Sequence, residues 1–317
     1  MKRIQRNNIL ATRVIDFFII GAFKAGTTSL YDHLAQHPQI FLPRTKETRF
    51  FHESEVYQRG PNWLAPLYRS APDAALLGSA DVHSLFFHEA ASRLHDHNPR
   101  MKLLAVLRNP VDRAYSAYWW GRRNGFEPCR TFEEALTLES QRAYGSYTER
   151  AELTLLAHGH YAEQLQRFYS LFGASNLLVL LTEDLAPDRV RDTLSRTMRW
   201  LEVDPNIIQI NPNSRSSVGI GSGERRNVAG TPWSRTLQRM LMLRDTWYRR
   251  WLRNILPPSL CHAIEQALID PLKMLNVRAF QYPAMDPQTR ARLVRYFAPH
   301  NEVLSKLIGR DLAHWRK

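Results

Sequence analysis

The sequence predicts an α/β fold with a central, largely parallel sheet flanked by helices and a helical C-terminal part. Three observations carry that prediction. Short, nearly continuous apolar runs recur at residues 16–21 (DFFIIG), 101–107 (MKLLAVL) and 176–181 (NLLVLL). Runs of this length without polar alternation are the mark of strands buried on both faces. Each is preceded or followed by a stretch with helical periodicity, and strands alternating with helices make a parallel sheet.

Taken in order, the strand at 16–21 ends in Gly21, and a helix follows over 28–36, closed by His37 and Pro38. The strand at 101–107 leads to Pro110, a residue suited to the first helical position, and an apolar stripe over 111–120. A third helix over 161–172 precedes the strand at 176–181. Residues 14–210 thus form an α/β core. Residues 211–233 are rich in Asn, Ser, Gly and Arg, lack periodicity, and read as a long loop expected to cover a ligand. Residues 234–317 read as helical, over 234–256, 258–268 and 287–308. The whole chain of 317 residues is read as one domain.

The balance of 43 Lys and Arg against 30 Asp and Glu favours anionic partners without choosing among nucleotide, nucleic acid, anionic lipid and acidic glycan. The two cysteines, Cys129 and Cys261, lack metal-ligand spacing and suggest no disulfide framework, which fits a reducing, cytoplasmic location. The basic N-terminus leads into an apolar run at 14–23 that is too short to span a bilayer and lacks a cleavage site, so a soluble protein is expected. Residues 234–256 carry six arginines and one aspartate among apolar residues. They read first as an amphipathic helix packed on the domain, and second as a contact for an anionic membrane.

Two segments carry chemistry. In GAFKAGTTSLYDHL (21–34), Gly21, Ala22, Ala25 and Gly26 keep a loop small, so that backbone N–H groups and a helix N-terminus can meet an anion. Thr27, Thr28 and Ser29 add hydroxyls and Lys24 adds charge. Gly21 and Gly26 have the spacing of a Walker loop, but Thr27 stands where its lysine belongs. In KLLAVLRNPVDRAYSAYWW (102–120), Arg108 follows a buried strand, where α/β sheets collect ligands, and Ser116 lies two helical turns on. Arg108 can fork onto phosphate oxygens or pair with Asp112; Ser116 can contact the same phosphate or be an ordinary helix serine.

Together these segments resemble the sulfotransferases that use 3′-phosphoadenosine 5′-phosphosulfate (PAPS), especially carbohydrate-type and bacterial members. The stretches at 37–51 (HPQIFLPRTKETRFF), 159–168, 177–185 and 296–315 are similar to that branch as well. The resemblance implies a P-loop-like three-layer fold and no metal. It implies that Lys24, Ala25, Gly26, Thr27, Thr28 and Ser29 bind the 5′-phosphosulfate and that Arg108 and Ser116 bind the 3′-phosphate. It implies a basic loop over the nucleotide, for which Arg225 and Arg226 are the candidates, and Glu47 of KETRFF as general base beside Lys24. Arg49 stands where a histidine is frequent, and is expected either to alter acceptor contacts or to pair with Glu47 and lower its pKa. At 78–87 (GSADVHSLFF) the sequence departs from the family, and Asp81 or His83 is expected to bind acceptor or act as a second base.

The implied reaction moves a sulfuryl group to a hydroxyl, less readily an amine, of a carbohydrate or other small acceptor. A P-loop kinase or NTPase and a non-catalytic basic module for nucleic acid or acidic glycan are the competing readings. His33 and His37, four apart, are weighed as a metal pair and set aside because no third ligand has the spacing. His95, His97, His158 and His160 read as solvated loop residues. Tyr115, Tyr118, Trp119 and Trp120 read as a core stripe or the wall of an acceptor cleft.

Overall fold

The computed structural model describes residues 14–207, 226–229, 277–280 and 282–316. In chain order its main elements are β1 (Phe17–Gly21), α1 (Thr27–Leu34), β2 (Ile40–Phe41), β3 (Leu76–Ala80), α2 (Glu89–His97), β4 (Lys102–Leu107) and α3 (Pro110–Asn124). Then follow α4 (Phe132–Thr137), α5 (Glu139–Ala143), α6 (Tyr161–Phe172), β5 (Leu177–Leu181), α7 (Val190–Trp200), β6 (Arg226–Ala229), β7 (Val277–Phe280) and α8 (Pro287–Ile308).

The chain divides into two compact units. The first takes residues 1–113, 158–222 and 291–317 and holds the sheet; the second takes 114–157 and 223–290. In the first, five strands run in the order β2-β3-β1-β4-β5, all parallel. The three strands expected from apolar runs form its centre and one edge. β1 is buried along its whole length, and β4 from Leu103 onward. The chain leaves β1 toward β3 on one side and reaches β4 on the other, so the strand order reverses beside β1. Ligands of open α/β sheets settle at such a reversal, outside the carboxyl ends of the strands.

Two strands were not expected. β2 has only two residues, and β3 reads LLGSA, in which Gly78 and Ser79 hide the apolar pattern. Gly78 is required by packing: a Cβ there would lie 2.2 Å from the Phe17 ring of the neighbouring strand. Asp16 fixes the register at the other end, accepting a hydrogen bond of 2.7 Å from the Leu77 N–H.

α3 starts as its sequence suggests, with Pro110 in the first helical position and the Asn109 side chain accepting from the Val111 N–H at 3.0 Å. The Asn109 amide also donates to the Trp315 carbonyl at 3.1 Å, tying the helix start to residues near 315. Asp184 and Arg310 form a second tie through a two-pronged ion pair.

In the second unit, Arg142 and Glu127 form a buried bidentate pair at 2.7 and 2.8 Å. The Glu139 carboxylate receives the N–H groups of Leu155, Leu156 and Ala157 at 2.6 to 2.8 Å. β6 and β7 pair antiparallel. They fall in segments expected to be loop and helix; each is four residues long and carries a charged or polar residue, so neither gives an apolar run. The helices expected over 234–256 and 258–268 lie outside the described residues, and α8 matches the expected 287–308. No described helix is long and apolar enough to cross a membrane.

Removing one partner of a buried ion pair strands the other charge in low dielectric. Arg142→Ala is expected to cost about 3–5 kcal/mol, read by denaturant unfolding. Replacing Arg142 and Glu127 together by Met and Leu is expected to cost much less.

Candidate active site

The carboxyl ends of β1, β3, β4 and β5 converge on one place. β1 carries a register shift against β4 between Ile19 and Gly21, and the Ala22 N–H then bonds to Val106 at 2.8 Å. Such a bulge re-aims the strand into the turn that follows. Lys24 and Gly26 take positive φ, 65° and 100°. Gly26 is the N-cap of α1 and supplies no side-chain capping bond, so the first turn of α1 keeps its anion-binding character.

The loop is held from behind. The Thr182 hydroxyl, just past β5, lies 2.7 Å from the Ala25 carbonyl and 3.1 Å from that of Leu107. Arg108 donates to the Lys24 carbonyl at 3.4 Å, and its own carbonyl accepts from the Tyr161 hydroxyl at 3.0 Å. Lys24 and Arg108 therefore belong to one locus. Thr27 and Ser29 are buried and Thr28 is exposed. Ser29 Oγ is buried with no hydrogen-bond partner among the described residues. A buried hydroxyl left over in a loop built to present N–H groups fits a phosphate-bearing ligand. Ser116 is buried on the part of α3 that belongs to the second unit. Arg225 lies outside the described residues; Arg226 opens β6, opposite Phe280.

Glu47 sits on the loop between β2 and β3, strapped to the end of β3. Its N–H bonds to the Ala80 carbonyl at 3.0 Å, and its Oε2 accepts the Val82 N–H at 2.9 Å. Glu47 and Arg49 both have left-handed backbones, φ 57° and 63°. Strain of this kind, of order 1–3 kcal/mol per residue, persists where a fold over-determines a functional geometry. Lys46 Nζ stands 3.4 Å from Glu47 Oε1 and donates to Thr28 Oγ1 at 3.1 Å, joining the glutamate to α1.

Burial and the neighbouring Asp81 push the Glu47 carboxyl up to about 7, against the opposing pull of Lys46, His83 and the Val82 N–H. The shift is thus upward, not the lowering that was one of the two expectations for Arg49. The Arg49 guanidinium instead lies 3.4 Å from Glu53. Asp81 is buried and accepts the Arg49 N–H at 2.8 Å and the His83 N–H at 3.3 Å. His83 packs 4.9 Å from the Phe23 ring. A carboxylate poised near neutrality beside an anion-binding loop can take a proton from an incoming nucleophile.

Sequence reasoning missed Lys46, Thr182 and His52. Lys46 adjoins Glu47 in KETRFF, and Thr182 follows an apolar strand directly; both positions carry that signal. His52 is buried, stacked on Phe87 at 4.9 Å, with Nδ1 3.6 Å from Asp81 Oδ1; nothing local announces it. Three further histidines, His37, His97 and His158, pack within the fold. His37 Nε2 lies 2.8 Å from the Asp204 carbonyl, and His97 accepts the Ile15 N–H at 3.1 Å. His158 is buried against Phe86 at 3.8 Å, so it is not the solvated residue expected. Tyr118 is buried against Phe132, and Trp119 stacks on Tyr282. No group of residues suited to a metal ion occurs among the described residues.

A family model described as a sulfotransferase domain matches residues 15–216. The chain is 25% identical over 313 residues to the human bifunctional heparan sulfate N-deacetylase/N-sulfotransferase 3, covering 96% of this chain and 31% of that protein. To the Bos taurus bifunctional heparan sulfate N-deacetylase/N-sulfotransferase 2 it is 26% identical over 313 residues, covering 94% and 30%. The chain spans about a third of the length of these curated relatives. A solved sulfotransferase from Alicyclobacillus acidocaldarius shares the fold, with a TM-score of 0.68 at 24% identity over 96% of this chain and 100% of that one.

The raised Glu47 carboxyl has a cost in stability. Its proton is held more tightly folded than unfolded, so its contribution is complete below the ordinary glutamate range and is lost as pH rises through about 7. Glu47→Gln, which mimics the protonated form, is expected to melt several degrees above the native protein at pH 8 and close to it at pH 5, as thermal denaturation at the two pH values will read.

Proposed function

The chain belongs to the sulfotransferase family and is an enzyme of sulfuryl transfer; we propose that its donor is PAPS and its acceptor a hydroxyl or amine of a carbohydrate. The observation that carries this reading is the shared locus of Lys24 and Arg108, with Glu47 joined to the same helix start through Lys46 and Thr28. The names of the curated relatives support an acceptor of the heparan type.

PAPS supplies the sulfuryl group and a bisphosphate leaving group. The small loop at 21–29, with Lys24 and the unpartnered Ser29 hydroxyl, would hold the 5′ end. Arg108 and Ser116 would hold the 3′-phosphate and discriminate against nucleotides lacking it. Arg225 and Arg226 remain candidates for the cover. Glu47 would take the acceptor's proton at Oε1 or Oε2 as its oxygen or nitrogen attacks sulfur, worth roughly 10²–10⁴-fold. Lys24 and the loop N–H groups would offset the charge growing on the leaving phosphate oxygen.

The direct test is mass spectrometry of heparan-type oligosaccharides, with free amines and with free hydroxyls, incubated with PAPS; an added SO₃ is expected. A thermal-shift comparison of 3′,5′-adenosine bisphosphate, ATP with magnesium, and an oligonucleotide should favour the bisphosphate alone. A larger shift with ATP would revive the P-loop NTPase reading. Lys24→Ala is expected to lower turnover far more than bisphosphate affinity. Arg108→Ala, losing charge-assisted bonds of about 1.5–3 kcal/mol, should weaken bisphosphate binding roughly 10–100-fold by calorimetry. Unchanged affinity would remove Arg108 from the phosphate site.

A further inference from the structure

Directly after β3 the chain presents a buried carboxyl group, that of Asp81, in the segment where the sequence departs from the related family. Asp81 is 1% exposed, and its bonds point to the glutamate loop. Oδ2 accepts the Arg49 N–H at 2.8 Å, two residues beyond Glu47. Oδ1 accepts the His83 N–H at 3.3 Å and lies 3.6 Å from His52 Nδ1. Between these, Glu47 is bonded to Ala80 and Val82, the residues on either side of Asp81. The loop and the strand end are thus laced together through residues 47, 49, 80, 81 and 82. The two carboxyls are near enough that the charge of Asp81 raises Glu47. A hydrogen bond between two such carboxyls needs one proton shared between them.

We infer that Asp81 is a positioning residue for Glu47: it holds the left-handed Glu47–Arg49 turn against β3, and it accepts the hydrogen bond of the proton that Glu47 takes from the acceptor. This deepens the reading of Glu47 as base and rests on it. The roles divide by hydrogen bonding. Asp81 receives two backbone N–H groups, which favour its ionised form, whereas Glu47 receives one. Burial pushes Asp81 up as well, but its second N–H donor tips the shared proton toward Glu47, with Asp81 accepting. When Glu47 is free as a base, both groups are charged. When it takes a proton, the mutual repulsion ends and the bond between the carboxyls forms. That gain makes Glu47 a stronger base than burial alone would make it.

The charged and titratable groups around the pair are few. On the glutamate loop they are Lys46, the Arg49 guanidinium paired with Glu53, and His52. Beyond β3 stands His83, with His158 behind it at 6.0 Å between rings. From α1 comes Tyr31, whose hydroxyl donates to the Pro43 carbonyl and whose pKa is raised by burial and by Asp32 and Glu47. Lys46 and His83 pull Glu47 downward, against the larger upward push of burial and that of Asp81.

The deciding experiment needs no acceptor. Carbon-13 NMR of the full chain labelled at Asp and Glu carboxyl carbons, titrated from pH 3 to 9, should show Glu47 and Asp81 responding to each other in two shared steps. In Asp81→Asn, which keeps the shape and one acceptor oxygen but no charge, Glu47 should titrate in a single step about one pH unit or more lower. Independent single-step titrations in the native protein would overturn the inference, even if the variant failed to fold. With PAPS and a deacetylated heparan-type oligosaccharide, the acid limb of kcat/KM should move down by the same interval in Asp81→Asn, and kcat should fall roughly tenfold. Bisphosphate affinity should stay within about twofold. A fall in rate with an unmoved limb would make Asp81 scaffold only and sink the proposal. If Glu47→Gln keeps the native rate and limb, the base assignment fails instead, and the NMR coupling still tells whether the pair exists.

Discussion

The candidate site depends on one constraint: a loop with a left-handed lysine and glycine must be held open at the carboxyl ends of three adjacent strands. A single hydroxyl, that of Thr182, does much of this by sitting between the carbonyls of Ala25 and Leu107. Arg108 adds a hold on the Lys24 carbonyl. Backbone carbonyls turned away from water need such partners, and a loop whose carbonyls are satisfied from behind can turn its N–H groups forward. The anion-binding face is thus the by-product of hydrogen bonds made on the other face.

The second half of the site is held differently. Glu47 and Arg49 occupy backbone conformations that side chains resist, and the loop is kept there by bonds to the end of β3. Strain, burial of a carboxyl and proximity to a second carboxyl all work against folding. They also leave a carboxyl whose proton affinity lies near neutrality, which suits the role proposed for it. Stability surrendered at 47–49 and 81 is offset by the buried apolar residues of β1 and of β4 from Leu103 onward.

The parts legible in the sequence share a physical cause. β1, β4 from Leu103 onward and most of β5 are buried, so their residues are apolar and the runs stood out. The turn at 21–26 was legible because Gly21 and Gly26 supply the positive φ that it needs. β2 and β3 were not, since one has two residues and the other gives up side chains at Gly78 to make room for Phe17. Asp81 could be noticed as a departure, but its meeting with Glu47 follows from a strand that the pattern hides. Lowering Glu47 was one of two expectations for Arg49; the buried partner that raises it lies 34 residues away in sequence. Long-range partners of this kind have no local signature.

The lock on the phosphate loop also sets an order of events during synthesis. Residues 21–29 are made well before the group that backs them, since Thr182 lies 157 residues beyond the carbonyl of Ala25 that it secures. The segment just after Thr182 is in turn anchored by Arg310 and Trp315. The nascent loop must therefore wait, unbacked, until these later residues have been made. Topology of this kind makes late, non-local closure the slow step, and it makes the binding surface among the last features to become native.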